Sequence, residues 1–102
     1  TVARTDFLEE NQAAVDAFLD EHEESSLAVN NDVDDAAQNV ADLGIIPKAE
    51  VAKKAIPYCN ITCIRGEEMK TDLSGYLQVL YDQDPSSVGG ALPGDDFYYI
   101  PE

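Results

Sequence analysis

Every long segment of this chain spaces its apolar residues three or four positions apart, and none alternates them. From Asn11, Val15, Phe18, Leu19, His22 and Val29 share one helical face, with Leu27 close beside it and Asp, Glu and Gln opposite. Val33, Ala36, Ala37, Val40 and Leu43 make a second stripe, and Val51, Ala52, Ala55 and Ile56 a third. Met69, Leu73, Tyr76, Leu77, Leu80 and Tyr81 make the last and longest. With no period-two pattern there is no strand to build on, so the expected fold is mainly α: about four helices plus a docked aromatic tail.

Local chemistry places the boundaries. Thr5 or Asp6 is expected to cap a short turn over Phe7 and Leu8, Asn11 the second helix and Asp32 the third. The second helix is expected to run about 18 residues, to Asn30–Asn31. Gly44 suits the left-handed position just past a helix, and Pro47 a first helical turn. Pro57 stops the next helix, because it lacks an amide hydrogen and its ring clashes with the preceding turn. Tyr58–Ile64 then reads as a loop with a brief extended piece, and the last helix starts near Glu67. Gly75 inside that helix costs about 1 kcal/mol relative to alanine, which points to another backbone passing close by. Asp84-Pro85 ends it, Ser86–Gly94 is loop, and Phe97–Ile100 is the tail expected to dock on the core.

Charge narrows the partners. Six Lys and Arg stand against 21 Asp and Glu, giving a formal net charge of −15. Nucleic acid is excluded as a partner, since affinity for it comes from cations on phosphates. An anionic membrane surface is disfavoured for the same reason. No segment holds the roughly 20 apolar residues needed to cross a bilayer. A length of 102 residues allows one domain at most, with a modest core. No secretory leader is among these residues, and the expectation is that one was removed if the parent is exported.

The chemistry-bearing residues point to no enzyme. Cys59 and Cys63 lie four apart just after Pro57 and have no second ligand pair, so a metal site is not expected. They read as two semi-buried thiols, with a local disulfide as the alternative. His22, the single histidine, sits beside Phe18 and Leu19 as a boundary residue and not as a base for a cysteine nucleophile. A calcium loop opening at Asp32 requires glycine sixth and glutamate twelfth, where this chain has Ala37 and Leu43. Gly89-Gly90 and Pro93-Gly94 lack the lysine and hydroxyl of a phosphate loop. Tyr76, Tyr81, Tyr98 and Tyr99 fit core positions better than an aromatic binding wall.

One stretch carries more than its spacing. AEVAKKAIPYCNITCIRGEEMKTDLSGYLQVLYDQDPSSVGGALPGDDFYY, Ala49 to Tyr99, resembles the carboxy-terminal end of bacterial solute-binding proteins. These serve ABC importers of the nitrate, sulfonate, taurine and thiamine-precursor branch. The shared pattern is AKKAIP-x-CNI, G-x-EMK, L-x-GYL-x-VL, VGG-x-LP and D-x-FYY. TDFLEENQAAVDAFL, Thr5 to Leu19, is similar to the stretch by which that family enters the same region. Gln12 stands where the family usually has proline, and Cys63 where an aromatic residue is common.

The resemblance implies an α/β, two-lobed, periplasmic-binding-protein-like parent of roughly 300 residues, closing on its ligand by hinge motion. Residues 1–102 would be the carboxy-terminal helical portion of its first lobe. Its expected role is non-enzymatic: an extracytoplasmic protein, periplasmic or lipid-anchored in a bacterium, that passes a small molecule to a membrane permease and needs no cofactor. Of the present residues, Tyr58, Cys59 and Asn60 are the candidates to reach the ligand cleft. Arg65 is expected either to face an anionic ligand or to pair with a carboxylate. Isolated helices of this kind are expected to self-associate through their uncovered stripes. The alternative is a self-contained acidic helical module that binds a basic protein partner.

Overall fold

The computed structural model describes residues 1–102 and contains five α-helices and no strand. The helices are α1 (Thr5–Glu10), α2 (Gln12–Asn31), α3 (Val33–Asp42), α4 (Ala49–Ala55) and α5 (Gly66–Gln83). Short 3-10 turns cover Ile56–Tyr58, Pro85–Val88 and Asp95–Phe97. The mainly helical expectation holds, with the segment at Phe7 and Leu8 forming a helix of its own. The chain divides into two compact units, Thr1–Cys63 and Ile64–Glu102.

In the first unit, α3 packs chiefly against α4 and also meets α2. The buried centre is small: Ala36 and Ala37 of α3, Ala52 of α4 and Ile56 of the 3-10 turn. Val29, Val33, Val40, Ile46 and Ile61 surround it, half-buried. Alanines at this crossing let the two backbones approach closely. The cost is little buried area, since an alanine methyl contributes about 0.8 kcal/mol where a full isoleucine contributes about 1.5–3 kcal/mol.

The helix ends follow local rules in part. Asp32 caps α3, its Oδ1 accepting from the amide of Asp35 at 3.0 Å. At the other end the Gly44 amide donates to the Ala41 carbonyl and the Ile45 amide to the Val40 carbonyl, both at 3.0 Å. This pairing requires Gly44 at a φ of 72°, open to glycine and strained for other residues. Other expectations are corrected. Thr5 and Asp6 lie inside α1, whose capping position is Arg4 with no side-chain cap. The Arg4 guanidinium instead meets the Asp6 carboxylate at 3.4 Å. Asn11 precedes α2 but turns its amide back to donate to the Phe7 carbonyl at 3.0 Å. Pro47 stays outside α4, because extended Lys48 takes the capping position. Pro57 ends α4 by way of a 3-10 turn, where its missing amide costs less than in an α-helix interior.

The second unit is α5 with the carboxy-terminal segment folded onto it. Asp84 ends the helix, its Oδ1 accepting from the Ser86 amide at 2.9 Å and the Ser86 hydroxyl at 2.8 Å. Those two bonds, the hydroxyl first, hold the Asp84 carboxyl below its ordinary range. The tail docks in part. Lys70 of α5 binds Asp95 at 3.0 Å, and Tyr98 to Ile100 are half-buried while Phe97 stays exposed. The backbone expected beside Gly75 is not found: a Cβ built there meets nothing within 4 Å.

These two glycines give opposite expectations. Gly75→Ala should stabilise α5 by up to about 1 kcal/mol. Gly44→Ala should destabilise the first unit by about 1–2 kcal/mol, because alanine is strained in the left-handed position. Urea or thermal unfolding followed by circular dichroism checks both signs.

Candidate functional site

The loop after α4 carries the three residues singled out by the family resemblance. Tyr58 ends the 3-10 turn at 85% exposure. Cys59 is exposed, its thiol donating to the Ala55 carbonyl at 3.4 Å. Asn60 is exposed and has a φ of 52°, which asparagine tolerates better than most residues do. All three are exposed, and neither groove is lined by them. Cys63 is a free thiol, half-buried where Cys59 is exposed. Arg65 is half-buried at the capping position of α5.

Asn30 holds this loop to the helices, a role its sequence position did not disclose. Its side-chain amide donates to the Ser26 carbonyl at 3.1 Å and, 31 residues away, to the Ile61 carbonyl at 2.9 Å. Ser26 is the one buried polar residue, and its hydroxyl donates to the His22 carbonyl at 2.9 Å. His22 stacks on Phe18 with ring centroids 5.4 Å apart. It is exposed, and no group of three or more His, Cys, Asp or Glu residues gathers to hold a metal ion.

Two open grooves exist, one in each unit. The first, about 570 Å³, is floored by Val29, Ala36, Val40, Ile56 and Ile61 and edged by Asp35, Asn39 and Asp42. The second, about 400 Å³, runs between Lys70, Ser74, Gly75 and Gln78 of α5 and the segment carrying Leu92 and Tyr98. Lys70 closes one side of it through Asp95. That hydrogen bond raises the ammonium pKa, opposed by partial loss of hydration and aided by the charges of Asp95, Glu67 and Tyr98.

The larger observation concerns what is left uncovered. Phe7, Phe18, Leu27, Leu43, Ile45, Val51, Tyr76 and Val79 are all exposed, Leu43 at 76% and Ile45 at 68%. Phe18 and Leu27 were expected on the inner face of α2 and Tyr76 in the core, and all three are corrected. The stripes are covered only in part: Val15, Leu19 and Val29 of α2 and Leu73, Leu77 and Leu80 of α5 are half-buried, whereas Phe18 and Tyr76 stay exposed, and Leu27, nine residues from Phe18, stands on the opposite side of α2. The accessible surface is 7773 Å² for 11.1 kDa. A compact protein of that mass exposes about 5,700 Å², and two separate compact units of these sizes about 6,800 Å².

Charge is as lopsided as burial. Between Thr5 and Pro47, a stretch that includes α1, α2 and α3, there is no lysine or arginine, against twelve Asp and Glu. Lys53 of α4 reaches across to Asp34. This cation-free run is legible in the sequence, and it is the signal that a reading by apolar periodicity passes over.

Compared with family models, with curated proteins and with solved structures, the chain matches none.

The Lys70–Asp95 pair sets a pH dependence for the tail. Because the folded pKa of Lys70 is raised above its ordinary 10.5, this contribution is complete below pH 10.5 and is lost as pH rises through the folded value. Tail signals of Tyr98 in an NMR titration should therefore hold steady through neutral pH and shift in the strongly alkaline range. Lys70→Met should give the shifted positions already at neutral pH.

Proposed function

We propose that this chain is the carboxy-terminal helical part of the first lobe of an extracytoplasmic solute-binding protein. That protein captures a small molecule and hands it to the permease of an ABC importer, without catalysis. The observation that carries the reading is the set of large apolar side chains left in solvent, Phe18 and Leu27 on α2 and Tyr76 and Val79, three apart, on α5. An amphipathic helix is stabilised by burying one face. Here much of that face has no cover, as expected of helices whose cover is a β-layer in the other part of a two-lobed protein. The likeness of Ala49–Tyr99 to the carboxy-terminal stretch of the solute-binding family points the same way. In this reading the protein is periplasmic or lipid-anchored at the surface of a bacterium.

Tyr58, Cys59 and Asn60 are then cleft residues whose opposite wall comes from elsewhere in the parent. Their exposure leaves them accessible to such a wall.

A second reading has its own support. The cation-free run from Thr5 to Pro47 suits a self-contained acidic module that docks on a basic protein.

The two differ in how the 102 residues behave alone. The solute-binding reading expects no tight small-molecule binding in isothermal titration, bright binding of an apolar-surface dye, and self-association in sedimentation. That association should grow as salt screens the net charge of −15. A salt-independent monomer that melts cooperatively and leaves the dye dark would reject it and favour the module.

A further inference from the structure

We propose that the surface covering the groove of the first unit is an apolar segment bordered by lysine or arginine. The inference rests on the reading that the uncovered helices lie under another layer of the same protein, and it names the chemistry of that layer.

Two observations meet at one place. The floor of the groove is apolar, made by Val29, Ala36, Val40, Ile56 and Ile61. Water there is displaced favourably by any apolar side chain, at about 25 cal/mol per Å² covered. Area alone leaves the identity of the cover open. The edge restricts it, because Asp35 and Asp42 of α3 stand along the same groove. Their side chains are held in place, Asp35 accepting from Asn39 at 3.3 Å and Asp42 from Gln38 at 2.8 Å. Those donors are neutral amides, so the carboxylate charges are oriented but not balanced.

The surrounding sequence supplies no balance. α2 and α3 hold no lysine or arginine, and Lys53 of α4 is engaged with Asp34. A neutral or acidic cover would desolvate these carboxylates without compensation, which is costly. A second copy of this chain would bring its own −15 and the same cation-free helices, adding repulsion. A cover with cations at its edges and apolar side chains at its middle meets both demands and forms charge-assisted hydrogen bonds at the rim.

The test uses the whole 102-residue chain and two peptides of equal length. Each alternates valine and leucine with threonine through its middle; one carries two lysines at each end, the other two glutamates. At low salt the lysine-edged peptide should bind at least tenfold more tightly, and its NMR shifts should centre on Val29, Val40, Leu43 and Ile61. Asp35→Asn combined with Asp42→Asn should weaken it about threefold or more, as two partly exposed ion pairs do. Leu43→Gln, at an exposed position, should weaken it separately. Equal affinity for both peptides, no groove response to either at millimolar concentration, or α5 signals shifting as much as those of the groove would each overturn the inference. Self-association without peptide selectivity would sink this inference and leave the solute-binding reading standing. A dye-dark cooperative monomer would remove that reading itself.

Discussion

The close crossing of α3 on α4 is what the first unit depends on. Ala37 and Ala52 are each 1% exposed, and their methyls are small enough for the helix axes to approach. Ile56 and Ala36 close the remaining gap. Because Ile56 lies on the 3-10 turn that Pro57 enforces, the turn is part of the packing and not merely its end. Replacing either alanine by a larger residue would push the helices apart, a kind of change that typically costs 1–3 kcal/mol. With so few buried groups, no other contact in this unit could absorb that loss.

A core this thin must also hold against like charge. α2 carries five carboxylates and α3 three, and exposed pairs return little, about 0–1 kcal/mol each. The device the structure uses is local: Asp32 caps α3, Asp34 and Asp35 sit in its first turn, and Lys53 answers Asp34. Carboxylates at a helix amino end gain from the exposed amides there. The same placement does nothing for Asp42 at the opposite end of α3, where a carboxylate faces the negative end of the helix. Thus the two carboxylates that edge the groove differ: Asp35 sits at the end of α3 that favours anions and Asp42 at the end that does not.

How much of this was legible in the sequence depends on the range of the cause. The Asp32 cap, the Gly44 turn and the end of α5 at Asp84-Pro85 depend on residues within a few positions, and each stands where residue chemistry put it. Faces were half legible. Ala36, Ala37, Ala52 and Ile56 are buried as their stripes required, yet Phe18 and Tyr76 fall on equally good stripes and remain in solvent. Period reports which residues share a side, and only tertiary structure says whether anything lies over it. Asn30 was not legible at all, since its partner Ile61 is 31 residues away. The left-handed Asn60 was equally hidden, because an asparagine in a loop has several roles and its backbone angle is written in none of its neighbours. Thr5 and Asp6 show the opposite error: residues suited to capping stand one and two places too late.

Tyr58, Cys59 and Asn60 illustrate why a loop of this kind is hard to assign from one part of a protein. A binding site is concave and brings a few polar groups together from several elements. This loop brings a phenol, a thiol and an amide to one turn, but the thiol is turned to Ala55 and no second element converges on them. The backbone is nevertheless fixed from both sides, by the bond from the Cys59 amide to the Ile56 carbonyl and by Asn30 at Ile61. The turn is thus well anchored although its side chains are open to solvent. An anchored turn without concavity is compatible with the cleft wall proposed above, and equally with a surface turn that only joins two helices. The exposed apolar side chains and the anionic edge of the groove in the same unit are two separate features of that surface, one of burial and one of charge.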